Sequence, residues 1–224
     1  MPTDTAQAAS DLASKISDID RRFTELQSDA RLSAVQDEVE NLDTQVGQLA
    51  NRLKEVRTLG YVYGHDLDDR IKACVRQWPT LRTGAKAQIT KQAPELQSGL
   101  KSIEVKLNNI KRRQGQIADA NRLVADATPA IEALEARVSA AQSAIRGSFD
   151  AFKREADSVA AQITDARRIV EWTRDSKCQL LPGEGVYAAV AAKWDRDGKD
   201  DPKGRLYLTD QRLVFMQDEK KGKM

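Results

Sequence analysis

The feature that most constrains this chain is a hydrophobic period. Leu12, Ile16, Ile19, Phe23 and Leu26 recur at steps of three and four residues. After a slip of phase the pattern resumes at Val35, Val39, Leu42, Val46, Leu49, Leu53 and Val56. Such steps place side chains on one stripe of an α-helix, so residues 1–57 read as a long amphipathic helix. The slip falls in Gln27–Ser33, where a stutter and a true break leave the same trace in a sequence.

Two further stripes follow. One runs through Leu96, Leu100, Ile103, Leu107, Ile110, Ile117 and Val124, with Gln114 as its polar step. The other runs through Ile131, Leu134, Val138, Ala141, Ile145, Phe152, Ala156, Val159, Ile163, Ala166 and Val170, close to an unbroken heptad pattern. Thr128-Pro129 lies between them, and proline disfavours helix in the residue before it. Residues 95–176 are therefore expected to form a coiled-coil hairpin reversing near 128–129. The connector 58–94 holds Gly60, Gly64, Pro79, Gly84 and Pro94. A short amphipathic helix is expected over 66–78, with Asp66, Asp68 and Asp69 in its first turn and Pro79 as its stop.

Composition agrees with helices rather than a large aromatic core: of 224 residues 31% are charged and 5% aromatic, with 12 Gly and 6 Pro. The net charge of +2 demands no polyanionic partner. Charge is unevenly spread, however. Residues 1–57 carry 7 Lys/Arg against 11 Asp/Glu, and residues 70–115 carry 11 against 2. The basic segment either complements the acidic one within a bundle or meets an anionic surface. Residues offered for such a surface are Arg70, Lys72, Arg76 and Trp78 on the short helix, and Lys101, Lys106, Lys111, Arg112 and Arg113 on the next. Anionic lipid is the favoured surface and nucleic acid the weaker alternative.

From Leu180 the helical period disappears. Pro182-Gly183-Glu184-Gly185 opens a series of short apolar runs, Val186–Trp194, Arg205–Leu208 and Arg212–Met216, which read as strands. Asp195–Lys203 reads as a polar loop and Thr209-Asp210-Gln211 as a tight turn. The loop's basic residues Lys193, Arg196, Lys199 and Lys203 alternate with Asp195, Asp197, Asp200 and Asp201, so their charges largely cancel. Leu181-Pro182-Gly183-Glu184, followed by Gly204-Arg205-Leu206-Tyr207-Leu208-Thr209-Asp210-Gln211-Arg212-Leu213-Val214-Phe215, resembles the opening half of a GRAM or bacterial PH-like domain. The signature rests on Gly183, Glu184, Gly204, Leu206, Tyr207, Leu208, Thr209, Arg212, Leu213 and Phe215. The resemblance implies a module over 180–224 that binds membrane lipid or a protein partner. Such domains use about twice as much chain, so the sequence given is expected either to continue or to hold an incomplete module. Three strands alone leave edges and an apolar face open, so they need helices or another copy to pack on.

Nothing in the sequence supports catalysis. His65, the only histidine, sits in the Gly-rich connector without a nucleophile, and neither a Gly-x-Ser-x-Gly elbow nor a Walker-type loop is present. Cys74 and Cys178 match no metal or redox spacing and read as free thiols of a reducing cytoplasm. No cofactor or metal is implied. No apolar run approaches the roughly 20 residues a spanning helix needs, so the expected location is cytoplasmic, or peripheral at the inner face of the membrane. Narrow stripes cannot be buried by one helix alone, and self-association is expected. The expectation is a mainly α chain of long antiparallel coiled-coil helices with a small C-terminal β segment. It would serve as a non-enzymatic, peripheral membrane scaffold, or else as a protein-interaction scaffold without membrane contact. The architecture is similar to spectrin-like, BAR-like and ESCRT-III/phage-shock-type scaffolds, an analogy of fold alone.

Overall fold

The computed structural model describes residues 3–176, 178–195 and 202–217. Five helices precede a three-stranded sheet: α1 (Thr3–Asp29), α2 (Ser33–Thr58), α3 (Asp66–Arg112), α4 (Ile117–Gly147), α5 (Asp150–Asp175), β1 (Val186–Lys193), β2 (Lys203–Thr209) and β3 (Leu213–Gln217). The chain divides into two units. The first holds the chain before Thr44 together with Trp78–Ala151; the second holds Thr44–Gln77 and the chain from Phe152 onward.

In the first unit three helical strands share one seam. Leu12, Ile19, Leu26, Val35 and Val39, and likewise Leu96, Ile103, Ile110, Ile131, Leu134 and Ile145, are all buried. Cross-links fix the directions. Lys15 donates to Asn121, Arg22 makes two bonds to Glu135, and Arg146 grips Glu38, so α1 and the start of α2 run parallel to α4. Lys106 donates to the Asp126 carbonyl and Lys111 pairs with Asp20, so α3 runs antiparallel to both. Gly99 allows the close approach of α3 to α4, since a Cβ there would lie 2.9 Å from Leu134 Cδ1.

The second unit repeats this plan. Gln45, Arg52 and Glu55 on α2 bond Asp157, Thr164 and Arg167 on α5, again parallel, and Arg70 on α3 reaches Glu155 at 2.8 Å. This unit buries Leu49, Leu53, Val56, Leu67, Ile71, Val159 and Ile163.

The slip at 27–33 is a true break. Leu32 takes a left-handed φ of 55° and is fully buried, while Ala30, Arg31 and Leu32 close turns onto Leu26, Ser28 and Asp29. One non-helical turn resets the phase and keeps the stripe on the seam.

Two expectations are corrected. The hairpin does not reverse at 128–129, because Pro129 lies inside α4 and the reversal is at 113–116, between α3 and α4. Pro79 does not stop a short helix either: α3 continues through Pro79 and Pro94, leaving only 59–65 of the expected connector non-helical. The physical reason is common to all three prolines. Each is exposed, as are Val75, Thr90 and Ala125 four residues earlier, so the carbonyls that lose an N–H partner face water. The flanking residues Trp78, Ala127 and Ile131 stay buried on the seam. Burial along the seam outweighs the roughly 3 kcal/mol that an interior proline costs.

The strands form one antiparallel sheet in the order β1-β2-β3, with Val190 opposite Leu206 and Leu206 opposite Phe215. No strand bound differs by more than two residues from that read in the sequence. Most of the loop expected at 195–203, including Arg196, Lys199 and the Asp residues at 197, 200 and 201, lies outside the described residues.

Candidate functional site

The residues proposed for an anionic surface are scattered and mostly engaged. Trp78 is 3% exposed and donates its indole N–H to Asp43 at 2.8 Å, which removes it as a surface anchor. Arg70 pairs with Glu155 and Asp66, Lys72 with Asp69, Lys111 with Asp20 and Arg113 with Asp119, while Lys106 binds a backbone carbonyl. Half of these eight basic side chains are thus paired with the bundle's own acids. Arg76, Lys101 and Arg112 are exposed and make no ion pair among the described residues. His65 is exposed at the α2–α3 turn. Cys74 and Cys178 are free, and burial raises both thiol pKa values, which disfavours the reactive thiolate. No group of His, Cys, Asp and Glu among the described residues could hold a metal, and no described helix is long and apolar enough to cross a membrane.

The β end of the second unit is built differently. Its lower face sits on α5. Tyr207 is fully buried, packs with Val186, Ala189 and Ile169, and donates its hydroxyl to the Trp172 carbonyl at 3.0 Å. Arg168 and Arg205 lie 5.2 and 5.0 Å from the Trp172 ring centroid, flanking the anchor with cation–π contacts. The α2–α3 turn supplies a second support. Arg57 donates to the carbonyls of Tyr61, Tyr63 and Gly64, and Gly60 and Gly64 take the positive φ the turn requires. The Tyr63 hydroxyl then reaches the Gly185 carbonyl, and a Cβ on Gly185 would lie 2.7 Å from that hydroxyl. A cleft of about 300 Å³ opens beside this junction, lined by Leu59, Tyr61, Ile169, Thr173, Leu180 and Val186 among others.

No family model, curated protein or solved structure matches this chain. The role of its motifs therefore has to be read from contacts.

Three residues singled out in the sequence, Glu184, Thr209 and Arg212, converge on one cluster in which Glu184 and Thr209 are buried and Arg212 is exposed. Glu184 accepts from Arg212 Nε at 2.9 Å and Nη2 at 3.0 Å, from the Leu181 N–H at 2.6 Å, and lies 2.7 Å from the Thr209 hydroxyl. Arg212 also donates to the Gln179 carbonyl. Arg212 above all, then the Leu181 N–H, holds the Glu184 carboxyl down at about 2. Every acceptor position of the carboxylate is used internally, so the cluster is a clamp that ties the start of β1 to the β2–β3 turn. Gly183 makes the turn before it with a φ of 80°. Gly204 has its own steric reason: a Cβ would fall 2.2 Å from the Met216 carbonyl and 2.8 Å from the Phe215 ring.

The remaining signature residues, Leu206, Leu208, Leu213 and Phe215, lie together on the upper face of the sheet, away from α5. In register they form two apolar rows, Ala188–Leu208–Leu213 and Val190–Leu206–Phe215. Trp194 extends the second row, its ring 5.3 Å from that of Phe215 in an edge-to-face contact. Leu213 is 65% exposed, Val190 53%, Trp194 51% and Leu208 42%. Val190 and Trp194 lie in the run Val186–Trp194 that the sequence reads as a strand, but they are not among the signature residues offered there. The signal was present: Val186–Trp194 is apolar at nearly every position, the mark of a strand covered on both faces rather than one.

Proposed function

We propose that this is a non-enzymatic helical scaffold that works through protein–protein contact, made by the upper face of its β module. The observation that carries this reading is the set of large apolar side chains left open on that face while the opposite face is buried on α5. Soluble surfaces seldom gather such residues without a partner to cover them. The GRAM- or PH-like resemblance supports the same reading, since modules of that kind serve recognition. The peripheral-membrane reading has less behind it, because Trp78 is buried and most of the candidate basic side chains already have partners within the bundle.

The test places a photo-crosslinking amino acid at Leu213 in one variant and at the exposed helical position Lys101 in another, in the cell that makes the protein. Protein adducts at 213 and not at 101 are expected. Adducts to lipid alone, or none at either position, would overturn the reading.

A further inference from the structure

The lower face of the sheet changes character past its apolar anchor. Beyond the row Ala189–Tyr207–Val214 comes Ala191–Arg205–Met216, and then Lys203 across from Lys193. Arg205 therefore lies on the same side of the sheet as Tyr207, toward α5, where Arg168 and Trp172 stand one helical turn apart.

Trp172 is shared by two cations. Its ring centroid lies 5.0 Å from the guanidinium carbon of Arg205 and 5.2 Å from that of Arg168, so the two groups are within about 10 Å of each other. Acids do not balance them. Asp165 pairs with Arg168 at 2.9 Å, whereas the side chains of Arg205 and Lys203 make neither ion pair nor hydrogen bond among the described residues. The Trp172 indole N–H has no acceptor there either. These donors are open to water, since among the described residues Arg82 Nε is the one side-chain polar atom both sealed from solvent and unpartnered. A cation–π contact engages a guanidinium through its charge and leaves its N–H edge free to donate.

The geometry points to a phosphate-binding site at this junction of α5 and β2, held by Arg168, Arg205 and the Trp172 indole N–H, with Lys203 adding charge. The ligand class follows from the donors. Guanidinium forks match paired oxygens, and here two forks and a third donor face a single carboxylate, that of Asp165. A second carboxylate would bring two oxygens and one charge. A phosphate monoester brings three terminal oxygens and nearly two charges at neutral pH, enough to serve both forks together. A free phosphate ester and a phosphomonoester lipid headgroup offer the same chemistry. The site is on the face opposite the open one, so it goes beyond the protein-contact reading and is tested apart from it.

The three indole N–H resonances of the full chain, assigned through Trp172→Phe and Trp194→Phe, read this site directly. Inorganic phosphate, compared with sodium chloride at equal ionic strength, is expected to shift the Trp172 resonance with half-saturation on the order of 1 mM. Arg205→Gln is expected to raise that concentration at least about tenfold, and Arg205→Lys, which keeps the charge and loses the fork, to cause most of the same loss. Unmoved Trp78 and Trp194 resonances show that bundle and sheet remain folded in each variant. Arg168→Gln, on the exposed side of α5, supplies a second variant with the same expected direction. No Trp172 shift up to about 50 mM phosphate, an equal shift with chloride, or a shift that neither Arg205→Gln nor Arg168→Gln weakens would overturn the inference. Sedimentation with phosphatidylcholine vesicles, plain or containing phosphatidic acid, identifies the source. Retention on the second alone, lost in Arg205→Gln, supports the site and assigns the phosphate to lipid. The Trp172 shift without retention supports it and assigns the phosphate to a soluble ester.

Discussion

The helical seams and the sheet hold together in opposite ways. Along the seams, dozens of Leu, Ile, Val and Ala side chains contribute similar small increments, and polar rungs such as Arg22–Glu135 and Arg146–Glu38 set direction and register. The sheet rests on a few singular contacts: Tyr207 on Trp172, Tyr63 on Gly185, and the Glu184–Arg212–Thr209 clamp. A distributed core tolerates local violations, and three interior prolines are the proof. A core made of few anchors does not.

The sharpest test of that contrast is Tyr207→Ala. Removing a fully buried aromatic side chain typically costs about 3–5 kcal/mol, comparable to everything that holds a three-stranded sheet in place. Hydrogen-exchange protection is expected to vanish across β1–β3 while helical ellipticity stays nearly constant. A cooperative loss of helix as well would show that the two regions are not energetically distinct.

Pro129→Ala probes the tolerant side. It restores a donor and removes a ring clash inside α4, so a gain of about 1–3 kcal/mol is expected, read as a higher thermal midpoint. A loss would mean that the ring itself is needed where α4 passes it.

Acid should separate the regions next. The Glu184 pKa of about 2 lies below its ordinary 4.5, so the unfolded chain binds that proton more tightly than the native sheet. The clamp's contribution is complete above pH 4.5 and is lost as pH falls from there toward 2. The protection factor of the Leu181 amide, which donates to this carboxylate, is expected to fall over that window once the slower intrinsic exchange in acid is divided out. In Arg212→Ala the same amide should exchange quickly already at neutral pH. The helical carboxylates Glu135 and Asp157 are also held below their ordinary values, chiefly by bonds from Arg22 and Gln45, but many apolar neighbours share the load around them.

The smallest expected effect is Gly99→Ala. The added methyl meets only the end of the Leu134 side chain, which can yield, and helix propensity gains up to about 1 kcal/mol, so the net change should stay within about 1 kcal/mol of zero. Gly204→Ala would collide with the Met216 carbonyl, a backbone atom that cannot yield without opening the β2–β3 pair. Urea midpoints of the two variants give the comparison directly.

Much of the molecule was legible because its signals are local. A stripe at steps of three and four names a helix, and Leu12 to Val56 and Ile131 to Ile163 lie where their spacing puts them. The strands were legible from the loss of that period and from the turn at Asp210. Register inside the sheet was not, because the pairing of Val190 with Leu206 and Phe215 is a long-range choice made by Tyr207 docking on α5.

The sequence by itself determined that this chain makes amphipathic helices followed by short strands, since periodicity and turn chemistry act within a few residues. Tertiary structure alone decided where the helices turn, because proline's local cost had to be weighed against a seam built from distant segments. It also decided what the basic residues do, pairing Arg70 with Glu155 and Lys111 with Asp20 and burying Trp78 against Asp43. Finally it split the hairpin signature in two, with Glu184, Thr209 and Arg212 consumed by a clamp and Leu206, Leu208, Leu213 and Phe215 left on an open face. Which side of a strand is covered depends on what lies across from it, and no local pattern carries that.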